Sequence, residues 1–110
     1  FLDSYSVTKA MAERLVIAAN GQPTAVPERA PALATCALRP HAVFGPHDTH
    51  FIPKLIERAR AGGITHRVGD GKNVVDFTYI DNVVHAHMLA MEKLALDSPV
   101  AGQCYFITNG

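Results

Sequence analysis

The chain has 110 residues, and its ten Lys or Arg balance ten Asp or Glu to a formal net charge of zero. That length suits one small domain, burying about 65% of its unfolded surface, and leaves no room for two. A chain without a basic field has nothing to attract a phosphate backbone, so nucleic acid is not an expected partner.

No apolar run approaches the roughly 18 residues of a membrane span, and no basic segment followed by an apolar core opens the chain. Cys36 and Cys104 each sit in an apolar, strand-like run, where a free cysteine usually behaves as a small buried hydrophobe. This points to a reducing compartment and leaves one disulfide open. Phe1 is no initiator and the chain ends at "YFITNG", so the expectation is a piece of a longer protein.

Helix formers run from about Asp3 to Asn20, with Met11, Leu15 and Ala18 or Ala19 at helical spacing and Gly21 as the stop. On this helix Tyr5 and Lys9 stand four residues apart, which stacks them on one face, and Glu13 extends the stripe. A cation held beside a phenol favours the phenolate and brings proton transfer toward working pH, which is how a tyrosine becomes a general acid or base. A Tyr-x-x-x-Lys also arises readily by chance, so the pair has weight only in combination with other motifs.

The loop "GQPTAVPERAP" follows, then "ALATCALRP", an apolar run of the kind found in strands buried on both faces, ended by Pro40. "HAVFGPHDTH" is a turn-rich connection in which Asp48 or Thr49 can cap the next helix, "FIPKLIERARAG", terminated by Gly62 and Gly63. "ITHRVGDGKNVVDFTYI" reads as two short strands around a Gly-Asp-Gly-Lys turn. Asp81 is placed to cap a third helix from Asn82 to about Ala95, with Val83, Ala86, Leu89 or Ala90, and Lys93 or Leu94 on its inner stripe. "GQCYFIT" closes as a strand. Alternating strands and helices predict an α/β fold: a mostly parallel sheet covered by helices, with a small antiparallel hairpin in the middle.

Three chemistries fail on detail. "GDGK" lacks the glycine at His66 and the Ser or Thr at Asn73 that a phosphate loop needs, and the glycine at Val74 that a dinucleotide turn needs. The helical histidines His85 and His87 are two residues apart and diverge, and no Cys or carboxylate cluster completes a metal tetrahedron. A Ser-His-Asp hydrolase would need a Gly-x-Ser-x-Gly elbow that the sequence does not contain.

Three segments in order are more specific: Tyr5-Ser6-Val7-Thr8-Lys9; Arg39-Pro40 followed by Val43-Phe44-Gly45-Pro46; and Val75-Asp76-Phe77-Thr78-Tyr79-Ile80-Asp81-Asn82-Val83-Val84-His85-Ala86-His87. Their order and spacing resemble the extended short-chain dehydrogenase/reductases, and within them the 3β-hydroxysteroid dehydrogenase branch. The resemblance covers nearly the whole chain. It implies the C-terminal part of a Rossmann-like fold, with residues 1–110 as a single partial domain and the dinucleotide-binding half, including a catalytic Ser or Thr, upstream.

The same resemblance implies a catalytic pair: Tyr5 as general acid/base at a sterol 3-hydroxyl, and Lys9 on the nicotinamide ribose. Tyr5 and Lys9 then also belong to the cofactor site, with Pro40 and Val43 along the nicotinamide. His41, in a loop after a parallel strand where ligands gather, is a further candidate for touching nicotinamide or substrate. Members of the family oxidise an alcohol by passing a hydride to NAD or NADP. In decarboxylating members the ketone lies β to a 4-carboxylate, which leaves as carbon dioxide. The choice between NAD and NADP rests on a residue of the upstream half.

Relatives acting on sugar nucleotides commonly place arginine just before the Asp-aromatic pair, to grip a diphosphate. Here the position holds Val75, which suits a hydrocarbon substrate such as a sterol, although Arg67 could serve a diphosphate instead. Phe51, Ile52 and Leu55 are candidates to line an apolar cleft, while Asp76 and Asp81 are read as structural, fixing a turn and capping a helix. A sugar-nucleotide epimerase or dehydratase and a non-catalytic scaffold are the alternative readings. By the resemblance, the full protein would act on the cytoplasmic side, associated with the endoplasmic reticulum membrane through segments outside this piece, and a homodimer is compatible with it. Residues 1–110 alone are expected neither to hold nicotinamide tightly nor to turn over.

Overall fold

The computed structural model describes residues 3–67 and 69–109. Its elements are α1 (Ser4–Ala18), β1 (Ala37–Pro40), α2 (Ile52–Arg60), α3 (Ile80–Lys93) and β2 (Cys104–Ile107), with β1 and β2 paired as a small parallel sheet. The chain divides into two compact units, Phe1–Arg39 with Ala86–Phe106 and Pro40–His85 with Ile107–Gly110.

In the first unit, Asp3 caps α1 by accepting the Ser6 amide at 2.7 Å, which holds its carboxyl below the usual carboxylate range. Gly21, at φ +76°, takes the left-handed turn after the helix. Thr35, buried, fastens the C-terminal end of α1: its amide donates to Asn20 Oδ1 at 2.9 Å and its hydroxyl to the Val16 carbonyl at 2.8 Å. The Ala37 amide then donates to the Gln103 carbonyl at 2.9 Å, bringing the start of β1 to β2.

In the second unit, the stretch from His41 to Phe44 runs parallel to Thr78–Ile80. Thr78 N–H donates to the His41 carbonyl at 2.9 Å, Phe44 N–H to the Thr78 carbonyl at 3.0 Å, and Ile80 N–H to the Phe44 carbonyl at 2.9 Å. Neither Asp48 nor Thr49 takes the cap position of α2, which is Phe51, but from three residues earlier the Asp48 carboxylate accepts the amides of His50, Phe51 and Ile52 at 2.8, 3.0 and 2.8 Å. Gly62, at φ +70°, follows the end of α2.

Four expectations need correction. The run ending at Pro40 is not buried on both faces: β1 has one strand partner and is half-buried throughout. Among the described residues no apolar side chain is fully buried, and Met11 and Leu15 of the expected α1 stripe are exposed. Two strands do not make the layered sheet that would cover them.

The hairpin around Gly-Asp-Gly-Lys forms its turn but not its strands. Gly69 and Gly71 adopt φ of +72° and +76°, and Lys72 N–H donates to Asp70 Oδ1 at 3.0 Å, yet no strand is present among the described residues on either side. Val74 is 93% exposed, and an isolated two-stranded ribbon without a packed face is marginal in water. Val68 lies outside the described residues.

Asp81 lies inside the first turn of α3 instead of capping it. A carboxylate there still complements the helix dipole, and the start of the helix is tied from a distance by Asn109, whose Oδ1 accepts the Tyr79 amide at 2.9 Å and the Asn82 side-chain amide at 2.8 Å. Along α3, Val83, Ala86 and Ala90 are half-buried as the helical stripe predicts, as is Leu94 just past its end, whereas Leu89 and Lys93 are exposed.

Candidate active site

Tyr5 and Lys9 both lie on α1, one turn apart on one face, and both are exposed. The Tyr5 side chain is 70% accessible, and its carbonyl accepts the Thr8 hydroxyl at 2.9 Å. Lys9 makes no ion pair among the described residues. The helix therefore presents a phenol and an ammonium side by side to whatever occupies that face.

One turn beyond Lys9, Glu13 is bound by a side chain from β1. Arg39 Nε donates to Glu13 Oε2 at 2.6 Å and Arg39 Nη2 to Oε1 at 2.7 Å, a two-pronged guanidinium–carboxylate pair. The bond from Arg39 holds the Glu13 carboxyl below the usual carboxylate range, and Glu13 in turn raises the guanidinium. The far face of Arg39 rests on Phe106 of β2, 5.1 Å from the ring centroid. Glu13 was visible in the sequence as a continuation of the Tyr5–Lys9 stripe, but its partner was not, because 26 residues separate them.

Pro40, His41 and Val43 lie at the end of β1 and in the loop after it, in the second unit. Pro40 and Val43 are half-buried and His41 is exposed. The intervening Ala42 sits at φ +42°, a region non-glycine residues rarely enter. His41 is fixed from three sides. Its amide donates to Thr78 Oγ1 at 3.1 Å, its ring stacks on Phe77 with centroids 6.0 Å apart, and Nδ1 lies 3.1 Å from the Asp76 carbonyl. A carbonyl only accepts, so Nδ1 carries the hydrogen.

Phe51 packs against Phe77 at 5.0 Å, so that candidate cleft residue joins the same aromatic group. Ile52 is half-buried and Leu55 exposed. Val75 is exposed. Asp76 is structural, in a wider sense than a local turn: its carboxylate accepts the Asn109 amide at 3.2 Å and the Asn109 side-chain amide at 3.0 Å. Asn109 Nδ2 also donates to the Phe77 carbonyl.

Thr78 and Asn109 hold this second unit together; Thr78 stands in the third motif without its structural role being legible there, and Asn109 is in none of the motifs. Thr78 is fully buried, accepting the His41 amide and donating to the Ile107 carbonyl at 2.9 Å. The cysteines are both free and half-buried. Among the described residues no cluster of three His, Cys, Asp or Glu could hold a metal, and no helix is long and apolar enough to cross a membrane.

A parallel strand pair, a helix carrying Tyr-x-x-x-Lys and an aromatic loop after the strand are the parts of a short-chain dehydrogenase. The chain matches the model of the 3-beta hydroxysteroid dehydrogenase/isomerase family over residues 1–110, and it belongs to that family. It is 46% identical over 108 residues to the human "Sterol-4-alpha-carboxylate 3-dehydrogenase, decarboxylating", covering 98% of this chain and 27% of that protein. It is 48% identical to the Arabidopsis thaliana "3beta-hydroxysteroid-dehydrogenase/decarboxylase isoform 1", over 97% of this chain and 24% of that protein. To the "2-alkyl-3-oxoalkanoate reductase" of Stenotrophomonas maltophilia it is 49% identical, over 100% of this chain and 30% of that protein. The chain thus spans 24% to 30% of the length of these three relatives. No solved structure matches it.

Proposed function

We propose that the protein containing this chain is an NAD- or NADP-dependent dehydrogenase acting at a carbinol or ketone carbon placed β to a carboxylate, with a sterol 4α-carboxylate as the favoured substrate. The observation that carries the reading is the Tyr5–Lys9 pair, exposed together on α1 in a chain of this family. The names of the relatives share one chemical core. A sterol 4-carboxylate bearing a 3-hydroxyl and a 2-alkyl-3-oxoalkanoate both place the reacting oxygen two carbons from a carboxyl group, with a substituted carbon between.

Taken separately, residues of each unit suit one part of a nicotinamide cofactor by their donor set: a phenol and an ammonium on one turn of α1 suit ribose hydroxyls, and the stacked His41–Phe77 pair suits a flat ring. When bound, the nicotinamide accepts or supplies the hydride. In the oxidative direction Tyr5, as phenolate, takes the hydroxyl proton of the substrate while the carbinol C–H leaves as hydride. Lys9 binds the ribose and stabilises the phenolate by its charge. The ketone so formed is a β-oxo acid. Its carbon–carboxyl bond can break with the electron pair passing into an enolate, and a proton returned to that oxygen by Tyr5 favours loss of carbon dioxide. Pro40, Val43 and His41 carry the nicotinamide side, and Val75 favours a hydrocarbon body over a diphosphate.

The second reading, reduction of an acyclic 2-alkyl-3-oxo acid, is favoured by the 49% identity to the Stenotrophomonas enzyme. A sterol substrate would also place the full protein at a membrane surface, with the endoplasmic reticulum proposed, since sterols partition into bilayers.

The test uses the full-length protein, following nicotinamide absorbance with a 3β-hydroxysterol-4α-carboxylate, a plain 3β-hydroxysteroid, a 2-alkyl-3-oxoalkanoate and a sugar nucleotide, each repeated with Tyr5→Phe. Turnover on the sterol acid with release of carbon dioxide, falling about 10²- to 10⁴-fold in the variant, supports the proposal. Turnover confined to the oxo acid supports the second reading, and turnover confined to the sugar nucleotide overturns both.

A further inference from the structure

We propose that Arg39 is a positioning residue for the Tyr5–Lys9 pair: by holding Glu13 in a two-pronged clasp, it keeps that carboxylate from pairing with Lys9 and leaves the Lys9 charge available to Tyr5. The proposal deepens the dehydrogenase reading and rests on it.

Lys9 and Glu13 are four residues apart on α1, the spacing at which a lysine and a glutamate on a helix surface meet. Left to itself, Glu13 would be the nearest carboxylate to the Lys9 ammonium and would neutralise the charge that favours a phenolate at Tyr5. Two features of the structure prevent this. The order Lys then Glu is the weaker orientation for an intrahelical pair, and both Glu13 oxygens are taken by Arg39, whose planar fork matches a carboxylate better than a single ammonium does. Arg39 is itself braced, since its guanidinium lies over the Phe106 ring.

The other charged groups near this face do not replace Glu13. The Asp3 carboxylate accepts the Ser6 amide at the start of the helix. Arg14, beside Glu13, adds positive charge.

The experiment is a double-mutant cycle in the full-length enzyme, reading the pH dependence of kcat/KM for the substrate it turns over. Arg39→Gln frees Glu13, and the limb of the profile governed by proton removal from the substrate is expected to move toward higher pH, because a Lys9 paired with a carboxylate no longer favours the phenolate. Glu13→Gln alone is expected to keep the parent limb. The double variant Arg39→Gln/Glu13→Gln is expected to return the limb to its parent position, because the carboxylate that would capture Lys9 is gone. Arg39→Lys, which keeps a charge on Glu13 without the fork, is expected to shift the limb less than Arg39→Gln, and thermal unfolding of each variant shows that it is folded.

If the double variant keeps the shifted limb of Arg39→Gln, or Arg39→Gln does not shift it, the clasp does not insulate Lys9 and the proposal falls. If Tyr5→Phe leaves turnover unchanged, the dehydrogenase assignment of Tyr5 fails first, which separates the two failures.

Discussion

The His41 imidazole lies almost parallel to the Phe77 ring, centroids 6.0 Å apart and planes 24° apart, with Nδ1 turned to the Asp76 carbonyl. Phe77 thus sets the plane in which His41 can meet a ligand. Removing the ring in Phe77→Ala should weaken nicotinamide binding to the full-length protein about 2- to 10-fold, the worth of one aromatic contact. Titration of the cofactor reads this directly. Identical affinity in Phe77→Ala and His41→Ala would remove His41 from the cofactor face.

Thr78 offers a sharper stability test. It is fully buried, and its hydroxyl satisfies both the His41 amide and the Ile107 carbonyl. Thr78→Val keeps the shape and leaves those groups without that partner, a loss of about 1–3 kcal/mol, whereas Thr78→Ser keeps the hydroxyl and should cost less. Urea unfolding of the two variants distinguishes a hydrogen-bond role from a packing role, for which serine would be the worse replacement.

Asp48 and Glu13 make the protein sensitive to acid. Three backbone amides hold the Asp48 carboxyl below the usual range, and the bond from Arg39 does the same for Glu13. A carboxyl lowered in the folded state stabilises fully above its unfolded value, about 3.9 for Asp and 4.3 for Glu. That contribution disappears as pH falls through the lower folded value. Stability should therefore hold down to about pH 5 and decline below it. Asp48→Asn should show a shallower decline when unfolding is followed from neutral pH to pH 3.

Gly45 packs too closely for a side chain. A β-carbon there would meet Ile80 Cγ2 within contact distance and lie 3.1 Å from Ile80 Cβ. Gly45→Ala should cost about 1–3 kcal/mol by overpacking, and amide exchange should rise at Phe44 and Ile80, whose backbone bond it strains. Unchanged exchange would show that Ile80 rotates out of the way freely.

The helices were legible because their signals are local. Asp3, Asp48 and Gly62 act within a turn of their own position. The β-structure was less legible, since an apolar run such as "ALATCALRP" gives the same pattern whether one strand or several will flank it. Around Gly69 and Gly71 the turn chemistry was right, but strand formation needed a packed face that Val74 does not find. Of the candidate site, Tyr5, Lys9 and His41 were readable as residues. Their supports were not, because Arg39, Thr78 and Asn109 act on positions 26 to 37 residues away.

The reach of Asn109 bears on the order in which the protein is made. Tyr79 at the start of α3 donates to a side chain 30 residues later in the chain, and Asp76 receives its bonds from 33 residues later. While the polypeptide emerges from the ribosome, the Tyr79 amide and the Asn82 side chain must wait for β2 and the residues after it before they find this acceptor. At about 5–20 residues per second that interval lasts seconds, far longer than a helix needs to form. During it the Tyr79 amide, the Asp76 carboxylate and the Phe77 carbonyl are left to water in place of Asn109.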